Sequence, residues 1–305
     1  MLAFSASPPE ARSVASSIAI VGAGRVGRGL AHRLHRLGWQ IGAVVTRSKA
    51  TARIAVRKIG AGTAYGVATR QILSAEVVLI TTPDDAIAHV AADLATLGGK
   101  EWRGKIVLHT SGALDHRVLA PLADCGAFTG SLHPLQTFSG RAIPELEGVV
   151  IAIEGHRAAL RMARKIVRAL AGIPVTLRGR EKPAYHAAGT LVAGNALALV
   201  EAATLILMSI GFTRRQSNRS LLPLMRQMLV NFERFGPRLA WTGPLSRGDY
   251  ETIARHREAL RSMPREFSDA YLALSMLAAR VLSTSPDIME SKLRRAWKQS
   301  SGGRT

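Results

Sequence analysis

Along this chain the rhythm of apolar and polar positions changes once, near residue 181. Before that point, short apolar runs alternate with amphipathic stretches. The apolar start of 17–30, with Ile18, Ile20 and Val21, and the runs at 40–48, 77–80 and 105–112 read as buried strands, with further strands in 128–138, 148–155 and 173–179. Between them, Leu30, Leu34 and Leu37 recur at helical spacing, and the stretches at 51–60 and 157–170 carry the same period. Glycines at 60, 62 and 66 bracket a short third extended element. Pro83 stands near a helix start with Asp84 and Asp85 in its first turn, where acidic side chains favour the helix dipole. Strand and helix in alternation predict an α/β domain with a mostly parallel sheet.

From Lys182 onward the strand signal disappears. Between Ala187 and Ile210 the strongly polar residues are Asn195 and Glu201, so the stretch is long enough to test as a membrane span. An Asn and a Glu are costly in lipid. The stretch is therefore expected to be a core helix covered by a second copy of the chain, which predicts a homodimer and no membrane span. Amphipathic helices are expected at 217–236, 249–263 and 264–283, with Asp249 as the cap of the middle one. The expected organisation is a disordered lead at 1–16, a cofactor domain at 17–180, a helical substrate and dimerisation domain at 181–285, and a basic flexible tail at 286–305.

Composition narrows the function classes. A chain of 305 residues with 47% hydrophobic content can bury the cores of two domains. Its lone cysteine, Cys125, excludes an internal disulfide framework and fits a reducing cytoplasm. Lys and Arg exceed Asp and Glu by 41 to 21, a formal charge of +20. The basic residues are scattered, aromatics make up 5%, and no recognition motif accompanies them. That argues against nucleic-acid binding and for a solvated surface whose field favours anionic ligands. No metal-ligating cluster is read from the sequence.

The chemistry starts at 17–30. Gly22, Gly24 and Gly27 fill a G-x-G-x-x-G spacing directly behind a strand and ahead of a helix. Gly22 suits the tight turn, Gly24 the approach of a pyrophosphate, and Gly27 the packing of helix on sheet. Arg25 and Val26 complete that turn, whose amides would face the phosphates. The next strand ends in Thr46, Arg47 and Ser48, where an NAD-preferring site would place Asp or Glu. That is a pocket for a 2′-phosphate, so the expected cofactor is NADP, used as NADPH. In an open parallel sheet the ligand crosses the carboxyl ends of the strands, which puts Thr82, Pro83, His109, Thr110 and Ser111 on the cofactor edge.

The segments GAGRVG, SLHPLQTF at 131–138, YHAAGTLVAGN at 185–195 and TGPLSRGD at 242–249 together resemble uncharacterised Rossmann-type NADP oxidoreductases with a helical C-terminal domain of unknown function. More distantly the layout is similar to pyrroline-5-carboxylate reductases, ketopantoate reductases, and the 6-phosphogluconate and β-hydroxyacid dehydrogenases. The resemblance implies a Rossmann domain followed by an all-α domain of the 6-phosphogluconate dehydrogenase C-terminal kind, with substrate at the interdomain cleft. The β-hydroxyacid dehydrogenases carry a catalytic Lys four residues before an Asn, and here Leu191 stands four residues before Asn195.

Asn195 is kept as a candidate for orienting substrate, and Ser111 for holding a water. His133, His186 and His109 become the candidate proton donors, since histidine ordinarily exchanges protons near neutral pH. On an ideal helix His186 and Asn195 point about 180° apart. Arg247 is read as a loop charge that would neutralise an anionic group if its loop reaches the cleft. The expected function is hydride transfer between nicotinamide and a small polar, anionic substrate. The alternative is a non-catalytic NADP-binding sensor or regulatory protein.

Overall fold

The computed structural model describes residues 16–299. The expected disordered lead, apart from Ser16, and the last residues of the expected tail lie outside the described residues. Two compact units divide between Ala193 and Gly194, rather than at the change of rhythm near residue 181.

The first unit is built on β1 (Ser17–Val21), α1 (Arg25–Arg36), β2 (Gln40–Val45), α2 (Lys49–Ile59), β3 (Thr63–Tyr65), β4 (Val77–Ile80), α3 (Asp84–Gly98), β5 (Ile106–His109), α4 (Ala120–Asp124), β6 (Phe128–Pro134), β7 (Val150–Gly155), α5 (Arg157–Ala169), β8 (Ile173–Thr176) and α6 (Lys182–Thr190). Its strands form one sheet in the order β3-β2-β1-β4-β5-β6-β7-β8. Neighbours are parallel except β6 and β7. The exception follows from the connection, since β6 returns to β7 without the crossover helix that a parallel pair requires.

Alternate strand residues feed two cores. Ile18, Ile20, Leu79 and Leu108 pack in one cluster with Leu30 and Leu34 of α1 and Ile166 of α5. Ala19, Val21, Ile80 and Val107 pack in the other with Ile87 and Leu94 of α3. Covered on both faces, these strands need apolar residues at every position, which is why they read as continuous runs.

The second unit holds α7 (Ala196–Ser209), α8 (Arg214–Ala240), α9 (Tyr250–Ala259), α10 (Arg265–Leu282) and α11 (Pro286–Gln299). A π-helical turn, Leu191–Asn195, separates α6 from α7, so the expected single helix is broken and its ideal phase does not apply. α8 kinks at Gly236, whose φ is 76° and which precedes Pro237. Asp249 caps α9 as expected, accepting from Thr252 N at 3.0 Å.

One expectation fails here. The segment expected to be a flexible tail contains α11, because Met289, Leu293 and Trp297 fall four residues apart and make one apolar stripe. Leu293 is fully buried and Trp297 stacks on Tyr271. The apolar stretch, expected to be covered by a second copy of the chain, is largely bare among the described residues of this one. Gly179–Ser209 is apolar enough to cross a membrane by length and composition, and 6% of its most apolar window is buried.

Candidate functional site

The glycine turn is shaped by what lies under it. Thr81 N donates to Val21 O at 2.7 Å, and the Thr81 hydroxyl donates to Gly22 O at 2.5 Å, locking the ends of β1 and β4 together. Gly22 has φ 86°, and a Cβ there would lie 2.5 Å from Thr82 Cγ2. At Gly24 an added Cβ would meet nothing closer than 3.9 Å, so crowding within the chain does not require this glycine.

The N-terminus of α1, at Arg25 and Val26, has no side-chain cap and no acidic residue in its first turn. Its amides are available to an anion. Beside the turn, the buried hydroxyl of Thr82 has no hydrogen-bond partner, which in a folded chain calls for a ligand or water. These residues fit a dinucleotide pyrophosphate. Pro83 is exposed at the start of α3 on the same edge.

At the end of β2, the Thr46 hydroxyl donates to Ser48 O at 2.8 Å. The Ser48 hydroxyl caps α2 by accepting from Thr51 N at 3.2 Å. Ser48 is thus a helix cap before it is a ligand, and Arg47 beside it is exposed.

The β5 and β6 ends form a second cluster, and they revise two expectations. His109 is fully buried and turned into its own loop. Its Nδ1 accepts from Ser111 N at 3.2 Å, which leaves Nε2–H to donate to Asp115 O at 3.2 Å. Burial, with the charge of Lys182, lowers its pKa to about 3. It is a neutral structural bridge with no edge to offer a cofactor.

The Ser111 hydroxyl is also fully used. It donates to Asp84 Oδ2 at 2.7 Å and accepts from Ala113 N and Leu114 N, so it staples the loop and has no capacity left to position a water.

His133 and His186 do come together, with ring centroids 5.7 Å apart and planes at 85°. Both rings rest on Gly112, where a Cβ would lie 2.5 Å from His186 Cδ2 and 2.8 Å from His133 Nε2. Tyr185 joins them. Its hydroxyl donates to His133 O at 3.3 Å and lies 3.4 Å from His133 Nδ1.

Burial, then the charges of Lys182 and His186, lower the His133 pKa to about 4. The expected neutral-pH acid is therefore an uncharged imidazole at pH 7. Burial raises the Tyr185 pKa. Asn195 is exposed and belongs to the second unit, as does Arg247, exposed at the end of a short turn.

The residue that sequence reasoning missed is Lys182, which is 1% exposed. Its Nζ donates to Ser111 O at 2.9 Å and to Ser131 Oγ at 2.7 Å. Behind it, Ser131 Oγ is 3.5 Å from Glu154 Oε2. The same carboxylate accepts from His116 N at 2.9 Å and pairs closely with His116 Nδ1. Burial lowers the Lys182 pKa to about 8, against the opposing pull of Glu154, Asp115 and Asp84. A signal was present in the sequence. A lysine followed by proline at the first turn of an apolar helix sets a cation at the positive end of the dipole, a local conflict of the sort that marks functional positions.

Comparison with known proteins agrees with this architecture. Residues 5–134 match the model of a Rossmann-like domain, and residues 149–277 match a domain of unknown function, DUF2520. The second match begins at β7, so it includes strands that belong to the sheet. No curated protein matches this sequence.

Among solved structures, a presumed NADP oxidoreductase from Bacteroides fragilis is 22% identical, with TM-score 0.71 over 86% of this chain and 96% of its own. An imine reductase from a Pseudomonas species is 21% identical, with TM-score 0.64 over 92% and 99%. A reductive aminase from Aspergillus terreus, solved with NADPH and ethyl-5-oxohexanoate, is 18% identical, with TM-score 0.65 over 92% and 99%. At these identities the likeness is one of fold. The chain is a Rossmann-like domain with a mostly parallel sheet, followed by a helical C-terminal domain.

Proposed function

We propose that this chain is an NADP-dependent reductase, delivering hydride to the carbon of a C=N or C=O bond in a small polar, anionic substrate. One observation carries the reading. The uncapped glycine turn with the unpartnered Thr82 hydroxyl, and the cluster of His133, Tyr185, His186 and Lys182, stand at the carboxyl ends of strands in one sheet. That edge is where an open parallel sheet binds ligands. The names of the imine reductase and the reductive aminase above support the reaction class.

In this reading the turn from Gly22 to Gly27 and the start of α1 hold the pyrophosphate, and Arg47 with the N-terminal amides of α2 holds the 2′-phosphate. The reduced nicotinamide supplies the hydride. With Nδ1 against the Tyr185 hydroxyl, neutral His133 offers the substrate its Nε2. His186 packs edge-to-face on the same ring. The positive field of the chain draws an anionic substrate to the site.

We also propose a homodimer through α7 and α8. Leu197, Leu205, Met208, Leu224, Leu229, Phe232 and Leu239 are all exposed in the single chain, and so much apolar surface on one helix pair requires cover. A membrane is the poorer cover, because Lys182, Tyr185 and His186 tie α6 to the sheet of the first unit, and Glu201 in α7 forms a bidentate pair with Arg214.

The test is a panel of ketones, aldehydes, keto acids and cyclic imines, following the loss of NADPH. The expected outcome is tight binding of NADPH and its oxidation by at least one class. Absence of NADPH binding by calorimetry would sink the proposal. Binding without oxidation across the whole panel would favour the sensor.

A further inference from the structure

Lys182 is an expensive residue to keep. Packing alone would be served as well by an apolar side chain of similar length, and a buried ammonium at a helix N-terminus opposes both solvation and dipole. Its two bonds explain what it holds. Ser111 follows the end of β5 and leads into Gly112, on which both histidine rings rest, and Ser131 stands two residues before His133 in β6.

We propose that Lys182 is the positioning residue of this site. Its ammonium clamps the ends of β5 and β6 from beneath, fixing the Gly112 floor against His133 and His186 and keeping the His133 ring uncharged. The clamp is strongest while Lys182 carries its proton, since the neutral amine keeps two N–H donors but loses the charge that strengthens both bonds. The proposal rests on the reductase reading for its catalytic meaning, and on the hydrogen bonds alone for its geometry.

The surroundings are consistent with a charge held on purpose. Glu154 on β7, Asp115 in the loop after β5 and Asp84 on α3 act by charge on the ammonium. The ammonium acts in turn on His109 of β5 and His133 of β6, while His116 pairs with Glu154 and His186 packs on the His133 ring. The carboxylates favour the charged lysine. That charge in turn disfavours protonation of His109 and His133. With the lysine pKa near 8, the clamp is charge-assisted at neutral pH and weakens on the alkaline side.

The experiment follows the histidine ring resonances of the full-length chain by NMR as pH is varied. In the wild type, His133 should show a step near pH 8, as Lys182 discharges beside it. In Lys182→Met that step should vanish, and protonation of the His133 ring should move up by about one pH unit or more. Ser131→Ala, which removes one anchor and keeps the lysine, should shift the step to lower pH. A wild-type His133 resonance that stays flat across that range overturns the proposal without any variant having to fold. So does a Lys182→Met protein whose His133 titrates as in the wild type.

These readouts need no substrate, so the clamp can fail while the reductase reading stands, or hold while that reading fails. Once a substrate is found, kcat should fall above about pH 8 with KM for NADPH unchanged, and Lys182→Arg, which stays charged, should lose that alkaline limb. An alkaline limb that persists unchanged in Lys182→Arg would count against the clamp.

Discussion

In the first unit, Ile18, Ile20, Leu79, Ile80 and Leu108 are wholly buried, whereas in the second Leu197, Leu224 and Leu239 stand about three-quarters exposed at 71%, 68% and 77%. Both units are rich in such residues. The difference is one of layers. A parallel sheet brings its own covers, since each crossover helix returns across the face of the strands it joins. A helix pair apolar on several sides brings no such covers, and among the described residues this one stays exposed. The first unit therefore carries the candidate chemistry, and the second the apolar surface on which the proposed assembly rests.

The sharpest way to break that comparison is Leu205→Asp in α7. It should convert a dimer to monomer or aggregate, while NADPH affinity stays within a few fold. Sedimentation with calorimetry reads both, and a wild-type monomer at micromolar concentration would refute the assembly.

Acid should act on the first unit. His109 and His133 have pKa values of about 3 and 4 in the folded chain against 6.5 unperturbed. Between those values the unfolded chain binds more protons, so stability is full above pH 6.5 and is lost as pH falls towards 4. The loss should be on the order of 3 kcal/mol for His133 alone, read as the denaturant midpoint against pH. A midpoint that holds steady from pH 7 to about 4 would show that these rings are not kept neutral.

Within the site, His133→Gln should lower turnover about 100-fold, with NADPH affinity and assembly intact. Because the ring is already neutral, the variant should not remove an inflection near pH 7. Unchanged turnover would move the role to Tyr185 or His186.

Next in size, Arg47→Asp should weaken NADPH by about 2 kcal/mol, roughly 30-fold, and shift preference towards NADH, as calorimetry with the two cofactors would show. Equal wild-type affinities would remove the 2′-phosphate pocket. The smallest effect belongs to the second unit, where Asp249→Ala removes the cap of α9 and should cost about 1 kcal/mol in thermal or chemical unfolding, with no change in cofactor binding.

Much of this was open to a reader of the sequence. The glycine turn is legible because its conformation is local, and the strands because burial on both faces demands uninterrupted apolar runs. The cap at Asp249 is equally local. Harder to read was α11, hidden in a basic segment whose Met289, Leu293 and Trp297 stripe is sparse. The roles of His109 and Ser111 could not be read at all. Each is a polar residue after a strand on the expected edge, and whether such a side chain turns to the ligand or into its loop depends on partners many residues away, such as Asp84 and Asp115.

The amino-acid order by itself determined the alternation of strand and helix, the turn at Gly22 to Gly27, the basic position at Arg47 and the long apolar stretch after Lys182. Periodicity and backbone freedom act over a few residues, so they are written in consecutive positions. Tertiary structure alone decided that Lys182 lies beneath His133 and His186, bonded to Ser111 and Ser131, with Glu154 behind. Those residues are 71 and 51 positions from the lysine, and Glu154 reaches Ser131 only because β6 and β7 run antiparallel. Charge and hydrogen bonding depend on distance in space, and no local pattern encodes it.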